Sequence, residues 1–204
     1  MRALRAPLRL RALRRVLRGQ QGLAATEFGL IAPVFILLVM GMFDIGHMTY
    51  ARVVFDGAVE RAAREASLET GDTDEADAMV LRIVNPVLPG VELETERTSY
   101  FDFADIARPE QFTDANGNDV CDNGEAYIDE NGSEEWEADV GVSGNGGAND
   151  VVVYTVRATY EPLFKVPFMP EAWVDRSLSA SAVKKNQPFG DQPAPATTAR
   201  TCVD

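Results

Sequence analysis

Asp114, Asn116 and Asn118 alternate along a glycine-containing stretch, and Asp122 and Glu125 follow closely. With Asp114 as position 1, these five oxygen side chains fall at positions 1, 3, 5, 9 and 12, and Val120 at position 7 can add its carbonyl. A hard cation needs roughly six to eight oxygens around one point, so the chemistry on offer is calcium binding. A second copy starts fifteen residues later, with Asp129, Asn131, Ser133 and Glu137 at positions 1, 3, 5 and 9. Val140 occupies its position 12, which makes it the weaker site unless Asp139 substitutes. The alternative for both loops is a solvated acidic turn region without metal.

The first register resembles EF-hand and dockerin-like calcium loops. It departs at position 6, where Asp119 replaces the usual glycine, while Gly117 sits at position 4, as dockerin-type loops allow. The whole acidic region, residues 112–150, is long for a compact domain, and its carboxylates repel one another. A divalent ion would relieve that repulsion and order the chain. The carboxylates lie in a glycine-rich loop and not on facing rigid elements, which argues against general acid/base work. His47 is the only histidine and stands beside Met48, just past an apolar run; no nucleophile elbow or Cys/His pairing accompanies it. We therefore expect no enzyme. Cys121 and Cys202 can form one disulfide tying the C-terminal tail to the acidic loop in an exported domain, or remain two free thiols.

The elements that carry these loops follow from periodicity. Val91–Ser99 and Val151–Glu161 alternate as strands, the second with Val152, Tyr154, Val156, Ala158 and Tyr160 on one side, and Val174–Lys184 is a third candidate. Asp72 and Glu75 look like a capping box for a short helix carrying Ala76, Met79, Val80, Ile83 and Val84 and ending before Pro86. Upstream, Met48, Ala51, Phe55, Ala58, Ala62 and Ala66 recur three or four apart, with Arg52, Asp56, Glu60 and Arg64 on another face. Helix first and strands afterwards predicts an α+β fold, an antiparallel sheet laid on the amphipathic half of a long helix running from about Leu23 to Leu68.

Charge divides the chain sharply. Residues 1–22 carry seven arginines and no acid; removing those seven charges from the net −13 leaves −20 for residues 23–204. A basic head before an apolar span predicts a cytoplasmic N-terminus, a single membrane pass and an exported body. So acidic a body repels phosphates and does not favour nucleic acid; the leader arginines, which could in principle bind RNA, are read as a topology signal, and no nucleic-acid partner is expected. Phe28–Phe43 is an uncharged run of about 24 Å at helical rise, short of a hydrocarbon core of ~30 Å. With Glu27 neutralised, Leu23–Phe43 reaches about 32 Å and crosses. A cleavable secretory signal is the competing reading, but no small-x-small site follows Phe43.

Gly22 before Leu23, Glu27 five residues after Gly22, and the run Gly-Leu-Ala-Ala-Thr-Glu-Phe-Gly-Leu-Ile-Ala-Pro-Val from Gly22 resemble the opening of TadE-like pseudopilins of tight-adherence pilus systems, within the type IV pilin-like superfamily. The resemblance covers about residues 10–68. It implies cleavage by a prepilin peptidase between Gly22 and Leu23. It also implies that Glu27 pairs with the freed N-terminal ammonium of a neighbouring subunit, and that the partners are other pilin subunits, the pilus secretion platform and the lipid bilayer. The expected organisation is a cleaved leader (1–22), a transmembrane helix (23–46), a periplasmic pilin-like domain with its calcium-type loop (47–185) and a flexible tail (186–204). The other function that fits is a membrane-anchored, calcium-dependent periplasmic binding or adhesion module outside any filament.

Overall fold

The structure, a computed structural model, describes residues 22–68, 72–163, 175–195 and 197–203. The arginine leader to Gln21, Glu69–Gly71 of the expected polar break, and Val174 at the expected start of the third strand lie outside them. The chain divides into two units, residues 1–47 and 48–204. Helix α1, Leu23–Ala66, belongs to the first unit up to His47 and to the second from Met48.

In the first unit α1 contains Pro33 and leaves Phe28, Leu30, Ile31, Phe35, Leu38, Met42 and Phe43 each more than half exposed. Water disfavours so large a contiguous apolar surface. The helix is long and apolar enough to cross a membrane, with a mean hydropathy of 2.3 in its apolar window. Lipid is the solvent that suits it.

The second unit is α+β. Its part of α1 buries Ala51, Phe55, Ala58, Val59, Ala62, Ala63 and Ala66, a stripe at three- and four-residue spacing. Met48, expected in that stripe, stays 38% exposed. The polar face is laced by the i,i+4 pairs Arg52–Asp56 and Arg64–Glu60. Helix α2, Thr73–Val84, starts where Asp72 Oδ1 accepts from the amides of Asp74 and Glu75, at 2.8 and 3.2 Å. It buries Ala76, Val80 and Val84.

Among the described residues six strands follow: β1 (Glu92–Tyr100), β2 (Ala126–Asp129), β3 (Val142–Ser143), β4 (Val151–Tyr160), β5 (Arg176–Lys185) and β6 (Thr198–Thr201). Four form an antiparallel sheet in the order β3-β1-β4-β5, while β2 and β6 pair separately. Central β4 turns Val152, Tyr154, Val156, Ala158 and Tyr160 inward, as its alternation predicts. Tyr154, Val156, Ala158 and Tyr160 meet Leu178 and Ala182 of β5 and the buried stripes of both helices in one core. Five alanines in the α1 stripe keep that face thin, so helix and sheet approach closely. Lys184 of β5 pairs with Glu60 of α1 and fastens the sheet's edge to the helix.

The tail is not loose throughout. Residues 198–201 form β6 on β2, and Cys202 is buried in a disulfide, because strand pairing and the cross-link together offset the entropy of ordering it.

Candidate functional site

Both acidic loops close around their first aspartate. Asp114 Oδ1 accepts from the Gly117 and Asn118 amides at 2.6 and 3.3 Å, and its Oδ2 from Asp119 at 2.9 Å. In the second loop Asp129 Oδ1 accepts from Gly132 at 2.6 Å and Oδ2 from Glu134 at 3.2 Å. The backbone repeats as well. Gly117 and Gly132 have φ of 76° and 80°, and Asp119 and Glu134 have φ of 60° and 71°. The left-handed region suits glycine at position 4 and is adopted at position 6 by a carboxylate residue in each copy.

Across each loop an asparagine at position 3 donates to the carboxylate at position 9. Asn116 reaches Asp122 and Asn131 reaches Glu137, both at 2.5 Å, and Asn118 adds a second bond to Asp122 at 2.9 Å. An amide turned over exchanges donor for acceptor, so the same side chains carry the oxygens that a cation needs. Ser133 Oγ donates to the Glu135 carbonyl of position 7 at 2.8 Å. Among the described residues, no three His, Cys, Asp or Glu side chains are grouped as a ligand set for a metal ion.

The carboxylate that closes each loop comes from the other half of the repeat's pairing. Glu125 takes the amides of Ala115 and Asp122, positions 2 and 9 of the first loop, at 2.8 and 3.0 Å. Glu110 takes the amides of Glu130 and Glu137, positions 2 and 9 of the second loop, at 2.8 and 3.2 Å. The amides of Glu125 and Glu110 in turn donate to the carbonyls of Asp122 and Glu137. Asp139, the expected substitute, does not play this part; it accepts from Tyr100 Oη and from the Gly141 amide. Burial and that bond to Asp139 push the Tyr100 phenol up to about 12.

Glu110 was missed by reading the repeat as starting at Asp114. Extended upstream, the period holds: Glu110-x-x-x-Asp114-x-Asn116-Gly117 matches Glu125-x-x-x-Asp129-x-Asn131-Gly132. The two copies meet at an antiparallel bridge between Phe112 and Tyr127, where Thr113 donates to the Ala126 carbonyl and Ile128 to the Gln111 carbonyl, each at 2.8 Å. The two bridge bonds and the four bonds to Glu110 and Glu125 map onto one another by a shift of fifteen residues. The pair of loops therefore has a local pseudo-twofold axis through the Phe112–Tyr127 bridge.

Two tethers brace the pair. The Cys121–Cys202 disulfide, with Cα atoms 6.0 Å apart, joins position 8 of the first loop to the chain after β6. Arg200 of β6 donates from Nε to Asp129 Oδ2 at 2.8 Å and from a terminal nitrogen to Glu134 at 2.9 Å. Burial alone would raise the Asp129 carboxyl, but the Gly132 and Glu134 amides and Arg200 outweigh it and hold it below the usual carboxylate range. The amides of Asp119, Gly117 and Asn118 likewise hold Asp114 low. Both first positions are thus kept as anions. Arg108 forks onto Glu130 and also reaches Asp105, which fixes the approach to the second loop.

At the other end of the chain, α1 begins at Leu23, immediately after Gly22. Thr26 Oγ1 donates to the Leu23 carbonyl at 2.8 Å, and Glu27 lies exposed in the following turn. A family model described as TadE-like protein matches residues 22–64. The N-terminal segment is TadE-like. The match opens on Gly22 and runs through the apolar and amphipathic parts of α1, leaving the acidic loops outside it. Nothing matches the chain among curated proteins or among solved structures. The matched segment includes the stretch of α1 that is long and apolar enough to cross a membrane.

Proposed function

We propose that this chain is a pseudopilin-like subunit of a tight-adherence pilus or its secretion apparatus. In this reading a prepilin peptidase cuts between Gly22 and Leu23, and the subunit stays anchored in the inner membrane by α1. The acidic domain lies in the periplasm or outside the cell. The observation that carries it is the coincidence at one residue: the TadE-like match opens at Gly22, and the helix opens at the next position. Cleavage there frees an ammonium at the first helical residue. Glu27 then offers a carboxylate for a neighbouring subunit's ammonium, and pairing lets the apolar span extend to bilayer length. The role is structural, with no reaction catalysed. Intact mass of the protein from a strain with active peptidase tests the reading: a chain starting at Leu23 is expected, and retention of residues 1–22 rejects it.

The acidic loops are read as structural calcium sites. The first uses Asp114, Asn116, Asn118, the Val120 carbonyl, Asp122 and Glu125. The second uses Asp129, Asn131, Ser133, Glu137 and, in place of a twelfth-position residue of its own, Glu110. The matching geometry of the two loops supports this assignment, as does the anionic state of both leading aspartates. A calcium-dependent anchored binding module outside any filament is the second reading. It shares the loops and predicts an intact leader.

A further inference from the structure

We infer that a single water molecule is a built-in part of the second unit, held between Arg97 of β1 and Asn186 at the end of β5. Asn186 is 4% exposed, and its amide nitrogen donates to the carbonyls of Asn145 and Gly147 at 2.7 and 2.9 Å. Its Oδ1 is buried and finds no partner among the described residues. Arg97 spends its two terminal nitrogens on Asp77 and the Thr73 carbonyl, and its guanidinium carbon lies 4.2 Å from the Tyr154 ring centroid. Its Nε is likewise buried without a partner among the described residues.

Both side chains line the same small cavity, about 10 Å³ in volume, together with Ala63, Ala66, Asn145 and Tyr154. That volume corresponds to roughly one water and nothing larger. Chemistry narrows the occupant further. Nε–H needs an acceptor and Oδ1 needs a donor, and water is both. A small cation would satisfy Oδ1 alone and would face the Arg97 charge; an apolar guest would satisfy neither. Buried polar groups of this kind are paired in folded proteins, commonly by ordered water.

The water joins two clusters that share no direct bond through these atoms. One is the Asp77–Arg97–Tyr154 group, which ties α2 to the sheet. The other is the Asn145–Asn186 knot, where the Asn145 amide also donates to the Ala66 carbonyl at the end of α1. The end of the long helix is thereby coupled to the sheet's central ion pair.

The test is nuclear magnetic resonance on the full chain in detergent micelles with ¹⁵N-labelled arginine, the Arg97 Hε signal being assigned by its loss in Arg97→Lys. A cross-relaxation peak between Arg97 Hε and a long-lived water is expected. Ala63→Ser places a hydroxyl at the cavity wall and removes that peak from an otherwise unchanged spectrum; Asn186→Leu removes it too if that variant folds. Absence of the peak in the parent chain, or its undiminished survival in Ala63→Ser, overturns the assignment.

Discussion

Glu110 stands to the second acidic loop as Glu125 stands to the first: each carboxylate accepts the amides of that loop's second and ninth residues. The two glutamates lie fifteen residues apart, one period of the repeat, yet each serves the loop of the other unit. Glu110 is 1% exposed, so it acts in a setting where any bond it makes is strong and any bond it loses is costly.

Titration of the full chain with Ca²⁺ is expected to raise its melting temperature and to give two binding events by calorimetry. Glu125→Gln weakens the first loop's event and Glu110→Gln the second's, each leaving the other. A single event that is indifferent to Glu110→Gln would reject its assignment to the second loop. Glu110→Ala should also cost about 1–3 kcal/mol without calcium, because two half-buried amides lose their acceptor.

Reduction of the Cys121–Cys202 bridge, or Cys202→Ser, should lower stability by about 2–4 kcal/mol, since the bridge closes a long loop in the unfolded chain. Chemical denaturation with and without reductant measures this. Equal midpoints would mean that β6 is held by its strand pairing and Arg200 alone.

Acid should unfold the second unit in a limb that Asp77 shapes. Burial raises its carboxyl, but hydrogen bonds from Arg97, Tyr154 and Thr95 more than compensate and hold it below the usual range. A depressed folded value means the unfolded chain takes the proton first. This contribution is therefore present above about pH 4 and is lost as pH falls through the folded value. Asp77→Asn should cost about 1–3 kcal/mol at neutral pH, since the Arg97–Asp77 pair is largely but not wholly buried. It should also flatten the acid limb in a series of denaturation curves between pH 2 and 7.

Glu27→Gln should leave membrane insertion unchanged, because removing a charge only lengthens the apolar run. The expected loss is in the amount of the chain recovered in detergent-solubilised assemblies with other subunits. Undiminished recovery would show that the carboxylate takes no part in subunit pairing.

Much of the fold is written in periodicity. The α1 stripe and the inward side chains of β4 could be read directly, because one face of each meets a core and the other does not. The short strands were not legible: β3 is two residues long, and β2 and β6 are four each, too brief for alternation to register. Their pairing is decided by long-range partners, Thr98 and Ser99 for β3 and the tail for β2. The loop registers were legible because oxygen spacing is local. Glu110 is hidden from a local reading because the carboxylate that closes the second loop precedes its opening aspartate in sequence. Asp139 looks available on a local reading, yet Tyr100 claims it.

The bridge between Phe112 and Tyr127 has one more implication, for how this region can change. Each fifteen-residue unit lends its glutamate away and borrows its neighbour's, so neither is complete alone. Gain or loss of a single unit would strand an open loop and an idle carboxylate, whereas a peptide holding one unit should close by pairing with its own copy. The inheritable piece is the couple.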